Sequence, residues 1–119
     1  MAKKILIIDD EADVMKMVVY RLKAKGYEIM TASSGKEGID ITRTNKPDLI
    51  LLDYRLPDVE PGEVSKTIRK QENIKNIPII LITASVDHIK EKAKECLAND
   101  FIPKPIEPKI LYEKIEKYI

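Results

Sequence analysis

A chain of 119 residues fits one domain with one core, and 44% hydrophobic against 34% charged residues excludes a disordered composition. Lysine plus arginine number 21 and aspartate plus glutamate 20, so the basic footprint of a nucleic-acid binder is missing. No apolar run reaches membrane-spanning length, Met1-Ala2-Lys3-Lys4 leads into a strand pattern rather than a signal peptide, and the one cysteine, Cys96, has neither a disulfide partner nor metal-ligand spacing, which together set the expectation of a cytoplasmic protein.

The chain then alternates. Residues 5–8 are a short continuous apolar run, as in a strand buried on both faces, and it stops in Asp9-Asp10-Glu11. Over 12–25, Val14, Val18 and Leu22 recur at helical spacing until Gly26. Residues 27–32 read as a second strand. Ser34-Gly35-Lys36-Glu37 has the form of a capping box and opens a second helix that fades at Asn45-Lys46-Pro47. Residues 48–52 form a third strand that runs into Asp53. Pro61 suits the first turn of a third helix, supported by Val64 and Ile68. Residues 78–82 are the fourth and most apolar strand, followed by Thr83. Residues 86–97 read as a fourth helix with Ile89, Ala93 and Cys96 or Leu97 facing in. Phe101-Ile102 is a brief fifth strand before Pro103-Lys104-Pro105. Pro108 starts the last helix, with Leu111, Ile115 and Tyr118 on one stripe.

Five strands and five helices in strict alternation predict an α/β fold, a doubly wound parallel sheet with helices on both faces. In such sheets the functional crevice lies beyond the carboxyl ends of the strands. The residues found there are Asp9 and Asp10 after the first strand, Asp53 after the third, Thr83 after the fourth and Lys104 after the fifth. The second strand offers nothing comparable, which suits an edge position. Three clustered carboxylates need a counterion, and Lys104 supplies one charge. An oxygen-only ligand set short of positive charge suits Mg²⁺, which is held by one or two carboxylates with water and phosphate in its other positions. Acids, a divalent metal, a hydroxyl and a lysine together can hold a phosphoryl group. A carboxylate can itself be the nucleophile, and Asp53, between the acid pair and Lys104, is the candidate.

Four fragments carry a resemblance: Ile7-Ile8-Asp9-Asp10-Glu11, Leu51-Leu52-Asp53-x-x-Leu56-Pro57, Ile82-Thr83-Ala84 and Phe101-Ile102-Pro103-Lys104-Pro105. Each is weak alone. Together, in this order across the whole chain, they resemble the receiver domain of two-component response regulators, CheY-like. The resemblance implies a five-stranded flavodoxin-like (βα)5 fold of strand order 2-1-3-4-5, and one receiver domain over 1–119 with no output domain. It implies that Asp53 takes a phosphoryl group from a phosphohistidine on a sensor histidine kinase or phosphotransfer protein. Asp10, Asp53 and the backbone carbonyl of Arg55 would hold Mg²⁺, with Asp9 acting mainly through water. Lys104 would pair with Asp53 and then with the phosphoryl oxygens, and Thr83 would hydrogen-bond another of them. Phe101 would act with Thr83 as a switch that reshapes the face of the fourth helix, fifth strand and fifth helix for a downstream protein. Such a domain catalyses only its own phosphorylation and slow dephosphorylation, with Arg55 and Ser85 tuning the lifetime. It binds neither nucleic acid nor membrane directly. The Lys104-Pro105 bond would be cis.

The chain departs from the family pattern where Pro61-Gly62 follows the third strand, at Leu97 before the last strand, and at Pro103. Two other phosphate chemistries fit less well. A phosphatase of the haloacid-dehalogenase type needs an acid where Arg55 stands, and a flavin-binding loop would be opposed by Asp9-Asp10-Glu11. Other residues carry plain expectations. Glu11 favours the N-terminus of the first helix, His88 is a surface histidine, Cys96 is a small core residue, and Lys90, Lys92 and Lys94 form a solvated helix face.

Overall fold

Continuous apolar runs become inner strands because both of their faces are covered. In the computed structural model, which describes residues 2–119, the elements are β1 (Lys4–Ile8), α1 (Ala12–Ala24), β2 (Glu28–Ala32), α2 (Gly35–Asn45), β3 (Leu49–Asp53), α3 (Glu63–Arg69), β4 (Ile79–Thr83), α4 (Ile89–Glu95), β5 (Asp100–Pro103) and α5 (Pro108–Tyr118). The sheet is parallel throughout, in the order β2-β1-β3-β4-β5. Every residue of β3 and β4 is buried, and so is β1 after Lys4.

The pleat divides these side chains into two cores. Leu6, Ile8, Ile50, Leu52, Ile79 and Leu81 pack with Ile39 of α2, Val64 and Ile68 of α3 and Ala93 of α4. Ile5, Ile7, Leu49, Leu51, Ile80 and Ile82 pack with Val18 and Leu22 of α1 and Leu111 and Ile115 of α5. Three helices therefore cover one face and two cover the other. Each such Leu or Ile contributes about 1.5–3 kcal/mol on burial. The chain leaves β1 outward for β2 and returns to β3 on the other side, so the order reverses between β1 and β3. That reversal is where a crevice opens at the strands' carboxyl ends.

Local departures from the sequence reading have local causes. Ser34 Oγ accepts the Glu37 N–H at 3.2 Å, but Glu37 Oε1 reaches back to the Ser33 N–H at 2.7 Å, one residue beyond the usual box. Pro61 lies ahead of α3, and Gly62 at φ +87° supplies the left-handed turn that proline cannot adopt. The fourth helix starts at Ile89, three residues later than periodicity predicts, because His88 takes a left-handed φ of 55°. Cys96 rather than Leu97 turns inward, and Leu97 is exposed at φ 57°. His88 is exposed, and the Lys104-Pro105 bond is cis.

Arg69 at the end of α3 joins two loops. Its guanidinium donates to the carbonyls of Lys75 (2.8 Å), Ile77 (2.7 Å) and Leu97 (3.2 Å) and to Asn99 Oδ1 (2.8 Å). Asp58, in the loop after β3, accepts the N–H groups of Gly35 (2.8 Å) and Lys36 (3.0 Å), and so caps α2 from across the molecule. Those two amides hold its carboxyl below the ordinary carboxylate value.

Candidate functional site

Strand length decides which acids reach the crevice. β1 stops at Ile8, level with Leu52, so Asp9 and Asp10 lie just beyond the sheet. β3 runs one residue further, and Asp53 is its last residue, paired with Ile82 of β4. β4 ends at Thr83 and β5 at Pro103, one residue before Lys104. β5 is an edge strand like β2, yet it delivers the site's lysine.

Asp9, Asp10 and Asp53 each offer a carboxylate oxygen, all within 4.8 Å of one another. Asp9 is fully buried, Asp53 is 8% exposed and Asp10 is open to solvent. Asp9 Oδ1 accepts the Glu11 N–H at 2.9 Å. Asp9 Oδ2 lies 3.1 Å from Lys104 Nζ, an ion pair lacking hydrogen-bond geometry, and among the described residues it has no hydrogen-bond donor. Lys104 Nζ sits 2.7 Å from Glu11 Oε1 and 3.6 Å from Asp53 Oδ2.

The electrostatics follow. Burial pushes the Asp53 carboxyl up to about 6, and the Asp9 charge adds to it; Lys104 and the Arg55 backbone N–H pull the other way. Burial would lower the Lys104 ammonium, but the carboxylates of Glu11, Asp9 and Asp53 outweigh it and hold the group above the ordinary lysine value. One ammonium thus faces three carboxyl groups, and Asp10 adds a fourth to the cluster. A buried carboxylate oxygen that accepts no hydrogen bond, in an oxygen-only cluster with a charge deficit, fits a hard divalent cation such as Mg²⁺.

Beside the acids lies a cleft of about 340 Å³, lined by Asp10, Glu11, Asp53, Arg55, Thr83, Ser85 and Lys104 among others. Thr83 is 2% exposed, and its Oγ1 accepts the Ser85 N–H at 3.0 Å. The structure therefore gathers Asp9, Asp10, Asp53, Arg55, Thr83 and Lys104 in one place. Phe101 is not among them. It is half-buried on β5 and packs against the core under α4, with Lys114 Nζ 5.1 Å from its ring centroid.

Two participants escaped the sequence reading. Glu11 does more than open a helix, since it is the nearest partner of Lys104. The two are 93 residues apart, and no local pattern could link them. Lys92 does not join the solvated face with Lys90 and Lys94. It is half-buried, and its Nζ donates to Ser85 Oγ at 2.6 Å and to the Ser85 carbonyl at 3.3 Å. A signal existed: Lys92 is three residues after Ile89 and flanks the inward stripe of Ala93 and Cys96.

Comparison with known proteins agrees with this geometry. The family model described as response regulator receiver domain matches residues 5–116. The alkaline phosphatase synthesis transcriptional regulatory protein PhoP of Bacillus subtilis is 37% identical over 117 residues, 98% of this chain. The chain spans about half the length of that relative, 48% of it. The polar-differentiation response regulator DivK of Brucella ovis is 34% identical over 120 residues, covering 100% of this chain and 98% of the relative. Among solved structures, the receiver domain of sensor histidine kinase PA1611 from Pseudomonas aeruginosa superposes with a TM-score of 0.91 at 25% identity, covering 99% of this chain and 98% of that one. That structure has a magnesium ion coordinated in the active site cleft.

Proposed function

Because this chain belongs to the response regulator receiver domain family, we propose that it is a phosphorylation-driven switch of two-component signalling whose phosphoacceptor is Asp53. One observation carries the reading: three aspartate oxygens within 4.8 Å of one another, with Lys104 against them, at the strand-order reversal. A sensor histidine kinase or phosphotransfer protein is the donor. An Asp53 carboxylate oxygen attacks the phosphorus of a phosphohistidine, the P–N bond breaks, and the imidazole leaves with the bonding pair and takes up a proton. The product is an acyl phosphate.

The residues have separate tasks. Asp10, Asp53 and the Arg55 backbone carbonyl hold Mg²⁺, with Asp9 acting mainly through water. When bound, the ion neutralises both the carboxylates and the phosphoryl oxygens. Lys104 transfers its charge from the carboxylates to a phosphoryl oxygen, and the Thr83 hydroxyl donates to another. Phe101 follows Thr83, and the face of α4, β5 and α5 presents the result to a downstream protein, a population shift between two states. The chain is a switch rather than a conventional enzyme, acting on its own Asp53. Loss of the phosphoryl group is slow, and Arg55 and Ser85, which line the cleft, set its rate.

Among the described residues no helix is long and apolar enough to cross a membrane. A cytoplasmic setting, with protein partners rather than nucleic acid or membrane, fits the proposed phosphoryl donor. The test is incubation with Mg²⁺ and acetyl phosphate, read by intact mass. Wild type gains one phosphoryl group and Asp53→Asn gains none; no gain in wild type, or the same gain in both, overturns the reading. Following the phosphorylated sample over time, replacement of Arg55 and Ser85 together changes the decay rate, and an unchanged rate removes their role.

A further inference from the structure

The contacts of Lys92 have no part in the chemistry described so far. Its ammonium holds Ser85 by two bonds, to Oγ at 2.6 Å and to the carbonyl at 3.3 Å. It also lies 5.4 Å from the centroid of the Tyr54 ring, next to the phosphoacceptor in sequence. Ser85 in turn donates its N–H to Thr83 Oγ1 at 3.0 Å. One side chain of α4 thus ties down Ser85 and, through it, Thr83 at the end of β4, the two hydroxyls that line the cleft.

In the proposed function the Thr83 hydroxyl moves to the phosphoryl group on Asp53, and the 3.0 Å bond between Thr83 Oγ1 and the Ser85 N–H carries that movement into the loop after β4, which closes over the cleft. Closure draws Ser85 toward Asp53 and away from α4. The ammonium of Lys92 resists that movement, because its two bonds to Ser85 and its seat on Tyr54 hold only while the loop stays back. We propose that Lys92 is a positioning residue for the switch, a latch that acts through Ser85 and holds the loop after β4 in its open, unphosphorylated place. The inference rests on the reading of Asp53 as phosphoacceptor.

The sign of the effect separates this from simple electrostatics. Removing a cation near an anionic ligand weakens binding by Coulomb's law, whereas removing a latch strengthens it. Beryllofluoride, a non-covalent phosphoryl mimic, reports the closed state without turnover. Its affinity is measured by calorimetry in saturating Mg²⁺ for wild type, Lys92→Met, Lys92→Arg, Ser85→Ala and the Ser85→Ala/Lys92→Met double variant. Methionine keeps the packing on Tyr54 but cannot donate. Loss of the short charge-assisted bond to Ser85 Oγ alone corresponds to about ten-fold tighter binding in Lys92→Met. Lys92→Arg stays near wild type, because arginine can still donate to Ser85. In the Ser85→Ala background the Lys92→Met gain shrinks markedly, since Oγ is already gone. Equal or weaker binding by Lys92→Met, or the same gain with and without the Ser85 hydroxyl, overturns the latch and leaves the phosphoacceptor reading intact. No binding to wild type overturns that reading, and the latch with it.

Discussion

Asp53 is a carboxyl group placed where its own charge is unwelcome, buried and beside Asp9. Its folded value of about 6 lies above the ordinary 3.8, so the folded state holds the proton more tightly than the unfolded chain does. Stability of the metal-free protein therefore falls as pH rises from about 4 to about 6, and the loss is complete above that window. In chelator, Asp53→Asn is more stable than wild type at pH 7.5 by roughly 1–3 kcal/mol, and the gap closes toward pH 4. Urea unfolding at the two pH values checks this; an equal gap at both would show that ionisation of Asp53 is not the cause. At this scale the sequence was legible where a strand end fixes a residue's place, as for Asp9, Asp10, Asp53, Thr83 and Lys104. It was not legible for Glu11 or Lys92, whose roles depend on where a long side chain lies in three dimensions.

The elements followed from pattern wherever burial alone dictates them. Residues 5–8, 48–52 and 78–82 read as strands, with apolar runs suited to cover on both faces, and Ser34 marked the start of α2. The misses sit at backbone conformations that periodicity cannot register. His88 and Leu97 take left-handed φ without being glycine, and the positive φ near α3 belongs to Gly62, one residue past Pro61. Asp58 capping α2 from 23 residues away left no local sign either. Arg69 shows what holds such irregular connections: four hydrogen bonds tie the approaches to β4 and β5 to the end of α3. Arg69→Ala leaves three carbonyls without this donor and costs about 2–4 kcal/mol of unfolding free energy. Hydrogen exchange then quickens first in residues 70–78 and 97–99. Uniform loss of protection across the sheet would instead mean that Arg69 supports the core and not the loops.

For the molecule as a whole, alternation of strand and helix was enough for a parallel sheet covered on both sides, while the order β2-β1-β3-β4-β5 rested on resemblance. Periodicity shows which residues are buried but not which strands are neighbours, since each inner strand is apolar on both faces. The charge deficit of the site also acts at this scale. A cation that binds only the folded state stabilises it by about 2.7 kcal/mol at one hundred times its dissociation constant. Saturating Mg²⁺ raises the melting temperature by roughly 10 °C in a domain of this size. Asp53→Asn, which lacks one carboxylate ligand, shows a much smaller rise. Equal rises in the two proteins would place the ion elsewhere.

The Lys104 ammonium touches Glu11, from the first loop of the chain, and belongs to the last loop before α5. β1 and β5 are not neighbours, for the ends of β3 and β4 lie between them. The site is therefore assembled from distant parts of the sequence, acids from the ends of β1 and β3 and a base that follows β5. A nascent or clipped chain that stops short of Lys104 carries its carboxylates without their ammonium. The charge balance of the site thus depends on the fifth strand being in place, although none of these acids lies on it.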